Sequence, residues 1–230
     1  MPNRLSLLGG FDLRANGQHI ELATSARRVV AFLALQEHAI SRVYLAGTLW
    51  PDVSERRSLG NLRTALWTMH SAEADVIVSA GGNIRLAPTI AVDVHGLVRA
   101  AQAAIDRPEE FGFVRRFRTA AELLPDWYED WVDRERERVR QLQLLALDAI
   151  AVNALEGRRY AQATEASLLA VQFDALRESS YRLLLRAHLA QGNLSDAQRY
   201  YRLFVVRLQG EIGIGPSSEM DALGRLAHAR

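Results

Sequence analysis

The feature that most constrains the fold is an amphipathic segment at residues 56–70 that is soon followed by a predicted hairpin. Four apolar residues recur along this segment at helical spacing: Leu59, Leu62, Leu66 and Met69. This spacing predicts a helix that turns its apolar side toward a core. Downstream, Gly81-Gly82-Asn83 separates Val76–Val78 from Ile84–Leu86, and glycine pairs favour a tight turn between antiparallel strands. The sequence therefore predicts a helix followed by a two-stranded wing.

The opposite side of the predicted helix carries residues that suit contact with a nucleic acid: Arg57, Gly60, Asn61, Thr64 and Thr68. Arginine, asparagine and threonine side chains hydrogen-bond phosphates and base edges, and glycine lets a helix approach a partner closely. A helix followed by a wing is how a winged helix-turn-helix presents one helix to a DNA groove. On these residues alone, an ordinary solvated face explains the pattern equally well, so the flanking segments have to decide.

The N-terminal flank contains predicted strands and two further helices. Three short alternating runs are the predicted strands: Leu5–Leu7, Phe11–Leu13 and Ile20–Leu22. Asn16-Gly17 is typical of a hairpin turn. Thr24-Ser25 is predicted to cap a helix at Ala26–His38, and Ser41 is predicted to cap a shorter helix that ends near Trp50.

The chain beyond Asp93 is helical in character. Three helices are predicted there before the last third of the chain: Leu97–Ile105, Glu109–Leu124 and Asp130–Leu155. The last third repeats itself, since Gly157–Ala163 resembles Gly192–Ala197 at an offset of 34 residues between the two alanines. That period is typical of tetratricopeptide-like helical repeats. We expect the repeats to stack on the long helix and on an aromatic cluster: Trp127, Tyr128 and Trp131.

The predicted fold class is an α+β N-terminal winged helix-turn-helix (residues 1–92) followed by an all-α tetratricopeptide-like helical domain (residues 93–230). The chain carries 28 basic and 27 acidic side chains, so its charge weighs mildly against a nucleic-acid partner. All the basic side chains are arginine, whose planar guanidinium suits bidentate contact with guanine or phosphate.

Several function classes are excluded by what the sequence lacks. Without cysteine there is no disulfide framework and no thiolate metal site. The six histidines lack the spacing of metal ligands, and neither a nucleophile elbow nor a Walker loop is present. We therefore expect no catalytic residues, no metal and no cofactor. Because the sequence shows neither a signal segment nor an apolar run of membrane-spanning length, we expect a cytoplasmic, nucleoid-associated protein without a membrane partner.

Two ordered sets of motifs resemble a known protein family. The first set comprises Leu8-Gly9-Gly10-Phe11-x-Leu13, Ala26-Arg27-Arg28, Leu45-x-x-x-Leu49-Trp50, Asn61-Leu62-Arg63-Thr64, Ile84-Arg85-Leu86 and Val92-Asp93-Val94. The second set comprises Leu123-Leu124-Pro125-x-Trp127-Tyr128-x-x-Trp131-Val132, Glu135-Arg136-Glu137-Arg138, Arg177-Glu178 and Gly213-Ile214-x-Pro216-Ser217. Nearly the whole chain thereby resembles the antibiotic regulatory proteins of streptomycetes, in which a response-regulator-type winged helix precedes a bacterial transcriptional activator domain.

The resemblance implies a transcriptional activator that binds direct repeats in promoter DNA and recruits RNA polymerase. It assigns DNA contacts to one residue of the wing and four of the helix: Arg85, Arg57, Asn61, Arg63 and Thr64. Arg56 and Thr68 of the same helix complete the predicted DNA-binding residues. It assigns polymerase contacts to the loop before that helix: Pro51, Asp52, Val53, Ser54 and Glu55. The helical domain is expected to support a homodimer and polymerase contacts, and no small-molecule ligand is identifiable.

The chain departs from the family pattern inside the predicted recognition helix. Trp67-Thr68-Met69-His70 stands where the family usually has Ser-Arg-Leu-Arg, so two cations are missing. Trp67 either wedges against sugar and thymine methyl groups or packs on the helical domain, and we favour packing because large exposed aromatics are uncommon. The alternative function is a protein-interaction scaffold whose winged domain has lost or weakened DNA binding.

Overall fold

The computed structural model describes residues 3–36, 38–70, 76–110, 117 and 121–228. Internal contacts divide the chain into two compact units. The first unit contains Met1–Gly96 together with Ala121–Arg136 and mixes helices with small sheets. The second contains Leu97–Ala120 and Glu137–Arg230 and is helical in its described part. No helix in the described ranges combines the length and the apolar character that crossing a membrane requires.

A four-stranded sheet opens the first unit. Its strands, in the order β3-β2-β1-β7, are β1 (Asn3–Ser6), β2 (Asp12–Ala15), β3 (Gln18–His19) and β7 (Ile90–Val92). The β1–β7 pair is parallel and the other pairs are antiparallel. Leu5 of β1 is fully buried and lies between Leu13 and Val92 on its two neighbouring strands. The turn predicted at Asn16-Gly17 is confirmed, because both residues have positive φ, 52° and 87°.

Three helices and a second sheet complete residues 1–92, the predicted N-terminal domain. The helices are α1 (Thr24–Leu35), α2 (Arg42–Leu49) and α3 (Glu55–His70). The sheet has the order β4-β6-β5, with β4 at Ile40–Ser41, β5 at Ile77–Ala80 and β6 at Asn83–Leu86. The turn between β5 and β6 is confirmed at Gly81 and Gly82, where φ is +58° and +83°. The core is formed where α1 packs on α3 and on β6, around Leu33, Leu62 and Ile84.

The two predicted caps had different outcomes. Ser41 caps α2 as predicted, because its Oγ accepts the backbone N–H of Tyr44 at 3.1 Å. The predicted cap of α1 at Thr24-Ser25 is wrong, since the helix already begins at Thr24. Ala23 takes the N-cap position and has no side-chain oxygen to accept a hydrogen bond.

Residues 121–124 are not the end of a helix, which contradicts part of the prediction for Glu109–Leu124. Leu123 instead forms an antiparallel bridge with Leu8, and Leu124 N–H donates to the Leu7 carbonyl at 2.9 Å. The backbone hydrogen bonds that a helix would use are therefore made to the strand end of the first unit. Most of the remaining predicted helix, residues 111–116 and 118–120, lies outside the described residues.

The two tryptophans of the aromatic cluster pack on rings of the first unit, whereas we expected the cluster to support the repeats; its third member, Tyr128, is exposed. Trp127 stacks on Phe11 at 6.1 Å between ring centroids. Trp131 meets Phe32 of α1 edge-on at 5.1 Å and is buried. The side chains of Phe11 and Phe32 offer these indoles an apolar surface that helical periodicity alone does not reveal.

The second unit is built from α-helices. Its described helices are α4 (Asp93–Asp106), α5 (Asp130–Glu156), α6 (Tyr160–Phe173), α7 (Glu178–Ala190), α8 (Leu194–Ile212) and α9 (Ser218–His228). The first residues of α4 and α5 are counted with the first unit. The predicted long helix at Asp130–Leu155 is confirmed in α5. Ala163 and Ala197, the equivalent positions of the predicted repeat, are both fully buried. Tyr181, Phe204 and Met220 form the centre of a core shared by α7, α8 and α9.

The motif Arg177-Glu178 ties this unit together. Arg177 donates from Nε and Nη2 to Asp148 of α5 at 3.1 and 3.0 Å. Glu178 accepts the Ser217 backbone N–H at 3.0 Å and also the Ser217 hydroxyl. These two residues therefore have a structural role, because they join the start of α7 to α5 and to the start of α9.

Candidate nucleic-acid interface

Helix α3 buries one side, as its apolar spacing predicted. Leu62 and Met69 are buried, which confirms their predicted place in the core, whereas Leu59 and Leu66 are only half-buried. Two small residues that the pattern did not single out, Ser58 and Ala65, complete the buried side with exposures of 1% and 0%. Small side chains let α3 lie close to the helices α1 and α2 that it packs against.

The exposed side of α3 carries three arginines, a threonine and a tryptophan: Arg56, Arg57, Arg63, Thr64 and Trp67. Gly60 lies among them and is half-buried. Asn61 and Thr68 lie at the margin of this side and are half-buried. The exposed side is therefore centred nearer to Gly60 and Trp67 than the sequence predicted, because Ser58 and Ala65 turn the helix toward the core.

The Trp67 ring is 71% exposed. The favoured prediction, that Trp67 packs on the helical domain, concerns a contact between the two units and stays a prediction; the first unit itself does not bury the side chain. The amphipathic pattern allows Trp67 to lie on the polar side of the helix. Packing was favoured only because large aromatic side chains are uncommon on protein surfaces.

Two threonine hydroxyls of α3 are already engaged as donors. Thr64 Oγ1 donates to the Gly60 carbonyl at 3.2 Å, and Thr68 Oγ1 donates to the Ala65 carbonyl at 2.8 Å. A hydroxyl that donates its proton keeps lone pairs and can still accept a hydrogen bond. Thr64 is exposed, so its oxygen can accept from a partner such as an amino group on a base edge.

The β5–β6 hairpin carries Arg85 on its exposed surface. Arg85 lies in β6 opposite Val78 of β5, with both side chains exposed. Arg42 at the start of α2 contacts the same hairpin, because its Nη2 donates to Ser79 Oγ at 3.2 Å. Sequence reasoning missed Arg42, although its position directly after the cap residue Ser41 fixes it at the start of a helix.

The side chains of all four predicted DNA-contacting arginines have no partner in the part of the chain that the structure describes. The side chains of Arg56, Arg57, Arg63 and Arg85 make neither an ion pair nor a hydrogen bond with any described residue, and all four residues are exposed. Their guanidinium groups are therefore available to bind anions. Arginines that support the fold behave differently, as Arg28 and Arg136 show with three or more acceptors each.

The segment predicted to contact polymerase lines a groove of the first unit. The groove has a volume of about 700 Å³. Its lining includes Pro51, Asp52 and Val53, together with Tyr128 and Arg134. Ser54 and Glu55, the remaining members of the segment, are exposed at the start of α3.

Arg28 fixes the point where this segment begins. Its Nε and Nη2 donate to the Glu129 carboxylate at 2.8 and 2.9 Å, and Nη2 also donates to the Leu49 carbonyl at 2.6 Å. The same guanidinium lies over the Trp50 ring, 5.6 Å from its centroid. The Trp131 indole N–H also donates to Glu129, at 2.5 Å. Sequence reasoning missed this cluster of Arg28, Glu129 and Trp131, although all three lie in or between the quoted family motifs.

The described residues hold no group of three or more His, Cys, Asp or Glu side chains that could bind a metal ion. The groove is lined by arginine, carboxylate and aromatic side chains, and the exposed side of α3 carries arginines, a threonine and a tryptophan. Such groups bind anions, base edges and protein surfaces by hydrogen bonds and stacking.

Comparisons with known proteins identify a family for residues 93–226 and a similar fold for nearly the whole chain. Residues 93–226 match the family described as bacterial transcriptional activator domain. The fold is similar to that of Mycobacterium tuberculosis EmbR in complex with low affinity phosphopeptide, with a TM-score of 0.76 and 19% sequence identity. The similarity covers 99% of this chain and 65% of that chain, and at this identity it shows the fold alone. A comparison with curated proteins found no significant match.

Proposed function

Because the chain belongs to the family of the bacterial transcriptional activator domain, we propose that it is a DNA-binding activator of transcription. In this proposal residues 1–92 act as a winged helix-turn-helix and residues 93–230 as a tetratricopeptide-like domain. The observation that carries the proposal is the exposed side of α3, where three arginine side chains have no described partner, together with the exposed Arg85 on the hairpin.

Helix α3 enters the major groove of promoter DNA. Arg57, Arg63 and Arg56 supply charge to phosphates or bidentate contacts to guanine, and Thr64 accepts from a base edge. Arg85 on the hairpin lies over the neighbouring minor groove or phosphate. Asn61 and Thr68 contribute from the margin of the exposed side, where they are half-buried.

The segment Pro51–Glu55 contacts RNA polymerase. Its exposed residues Pro51, Asp52 and Glu55 are presented by a backbone that Arg28 holds at Leu49. Two copies of the chain bind direct repeats head to tail, which keeps both on one face of the duplex when the repeats lie about 11 or 22 base pairs apart. The helical domain supports the contact between the copies and with polymerase.

A salt-titrated binding experiment tests the proposal. Duplexes are selected from a random-sequence pool with the full chain, and the affinities for a selected and an unselected duplex are compared at several salt concentrations. We expect tighter binding to the selected duplex. Arg57→Ala and Arg63→Ala should each weaken binding and, where the lost contact is to phosphate, reduce the salt slope by about one unit. Arg4→Ala, which removes an exposed arginine of β1, is the matched control and should change neither quantity.

One observation favours a second candidate, a protein-interaction scaffold with weakened DNA binding. The chain is nearly neutral, and residue 68 of α3 carries a half-buried threonine where the family has a cation. If the scaffold reading holds, the natural chain binds selected and unselected duplexes equally and weakly. The double variant Thr68→Arg/His70→Arg would then create DNA binding that the natural chain lacks.

A further inference from the structure

The side chain of Trp67 is exposed at a cost that the fold itself does not explain. Burying an indole is among the larger favourable contributions that a side chain makes, yet 71% of Trp67 faces solvent. Trp131, by contrast, is 5% exposed in the same unit. A large aromatic that the first unit leaves exposed on an otherwise polar helix side points to a partner outside that unit.

The surroundings of Trp67 identify the chemistry of that partner. Arg63 lies one turn before it on the same exposed side and has no partner among the described residues. Gly60 lies two turns before it, and a Cβ built there meets no atom within 4 Å. The fold therefore does not require glycine at this helical position, but a closely approaching duplex does. The exposed side of α3 thus combines a cation at Arg63, room for a close approach at Gly60 and an aromatic ring at Trp67. This combination suits the floor of a DNA major groove better than a protein surface.

We propose that Trp67 is a specificity-determining residue whose indole contacts thymine methyl groups in the major groove. The proposal rests on the proposed DNA binding and names what this chain reads there. The C5-methyl of thymine is the apolar group that the major groove displays, and apolar side chains distinguish it from the other bases. Because the indole carries no charge, this contact adds sequence discrimination without releasing counterions.

The test removes the methyl group from the DNA and the ring from the protein, separately and together. Each thymine of a selected duplex is replaced in turn by uracil, which lacks only the methyl. Affinities are measured for the full natural chain, for Trp67→Ala and for Tyr128→Ala. Tyr128 is an 88% exposed aromatic of the same unit outside α3, so its variant is the matched control. Circular dichroism of each variant confirms that the fold is kept, as expected for the loss of an exposed ring.

We expect uracil at one or two positions to weaken binding of the natural chain by about fivefold to tenfold, as loss of a base contact does. Trp67→Ala should weaken binding of the all-thymine duplex by a similar factor and should be insensitive to uracil at those positions. Its salt slope should equal that of the natural chain, and Tyr128→Ala should behave as the natural chain does.

Three results would overturn the proposal. If uracil weakens the natural chain and Trp67→Ala equally at every position, the indole does not read methyl groups. If Trp67→Ala lowers affinity for selected and unselected duplexes alike, the ring contacts sugar or backbone instead. If it leaves both affinities unchanged, the partner of Trp67 is another protein surface. Failure of the natural chain itself to prefer any duplex would reject the proposed function, which is a separate outcome.

Discussion

Replacing Glu129 by Gln should destabilise the first unit and loosen the segment before α3. The Arg28–Glu129 ion pair has two hydrogen bonds of 2.8 and 2.9 Å, and the side chains are 24% and 27% exposed. Exposed ion pairs are worth about 0.2–1 kcal/mol, whereas removing one partner of a fully buried pair costs about 3–5 kcal/mol. A pair that is three-quarters buried lies between these limits, so we expect a coupling free energy of about 1.5–2 kcal/mol.

A double-mutant cycle with Arg28→Met and Glu129→Gln measures this coupling. All four tryptophans of the chain, at positions 50, 67, 127 and 131, lie in the first unit, so urea titrations followed by tryptophan fluorescence report on that unit. The exposed pair Arg14–Asp12, with side chains 57% and 35% exposed, is a matched control in the same unit. We expect a coupling of about 0.5 kcal/mol for the control pair.

The reasoning is refuted if the Arg28–Glu129 coupling does not exceed that of the control pair. A functional readout follows from the contact between Arg28 and the Leu49 carbonyl. Because that contact positions Pro51–Glu55 and involves no residue of α3, Glu129→Gln should lower transcription from a selected promoter and leave DNA affinity unchanged. An equal loss of transcription and of DNA affinity would mean that the cluster of Arg28, Glu129 and Trp131 supports the whole first unit and not the segment Pro51–Glu55 in particular.

Two further predictions separate stability from binding and test a buried histidine. Gly60→Ala should stabilise α3 by about 0.5–1 kcal/mol, since alanine favours helix and its Cβ meets no atom, yet it should weaken DNA binding. Gly96→Ala in α4, equally open, should stabilise without affecting binding, and a Gly60→Ala variant with natural affinity would show that no duplex approaches there. Burial lowers the pKa of His188 below its ordinary 6.5, and neither ring nitrogen has a hydrogen-bond partner among the described residues. The unfolded chain then binds a proton at higher pH than the folded chain, so stability should fall as the pH drops below about 6.5. His188→Phe, which keeps an aromatic ring next to Tyr200, should lose less stability on acidification than the natural chain. Circular dichroism melts at about pH 7.5 and 5.5 measure the difference. An unchanged pH dependence would mean that His188 does not cause the loss of stability at low pH.

Local patterns predicted the elements whose causes are local. The turn at Asn16-Gly17, the β5–β6 hairpin and the long helix α5 each depend on a few neighbouring residues, and each is present. The segment at residues 121–124 was predicted wrongly because its cause is distant in sequence. Its backbone pairs with Leu7–Gly9, more than a hundred residues earlier, and no periodicity within the segment records that pairing.

The orientation of α3 shows the same limit inside the candidate site. The helical wheel placed Asn61 and Thr68 on the exposed side, but the structure has them half-buried. Apolar spacing locates the buried side only to within about one residue step, since small residues such as Ser58 and Ala65 also pack into a core. The site residues that shifted are those at the edge of the wheel, and Trp67 moved from the edge to the centre.

The residues that carry the family resemblance fall into two groups when their contacts are compared. Arg28, Arg136 and Arg177 have acceptors within their own units, so the fold alone accounts for their presence. Arg63 and Arg85 also belong to the quoted motifs, yet no described residue pairs with their guanidinium groups. The proposed DNA contact accounts for these two charged side chains, which the described fold does not use. Trp67 is exposed in the same way but lies outside every quoted motif. The proposed DNA binding therefore predicts that the preferred duplex differs, at the bases beneath that ring, from one bound by a protein with the family's usual serine there.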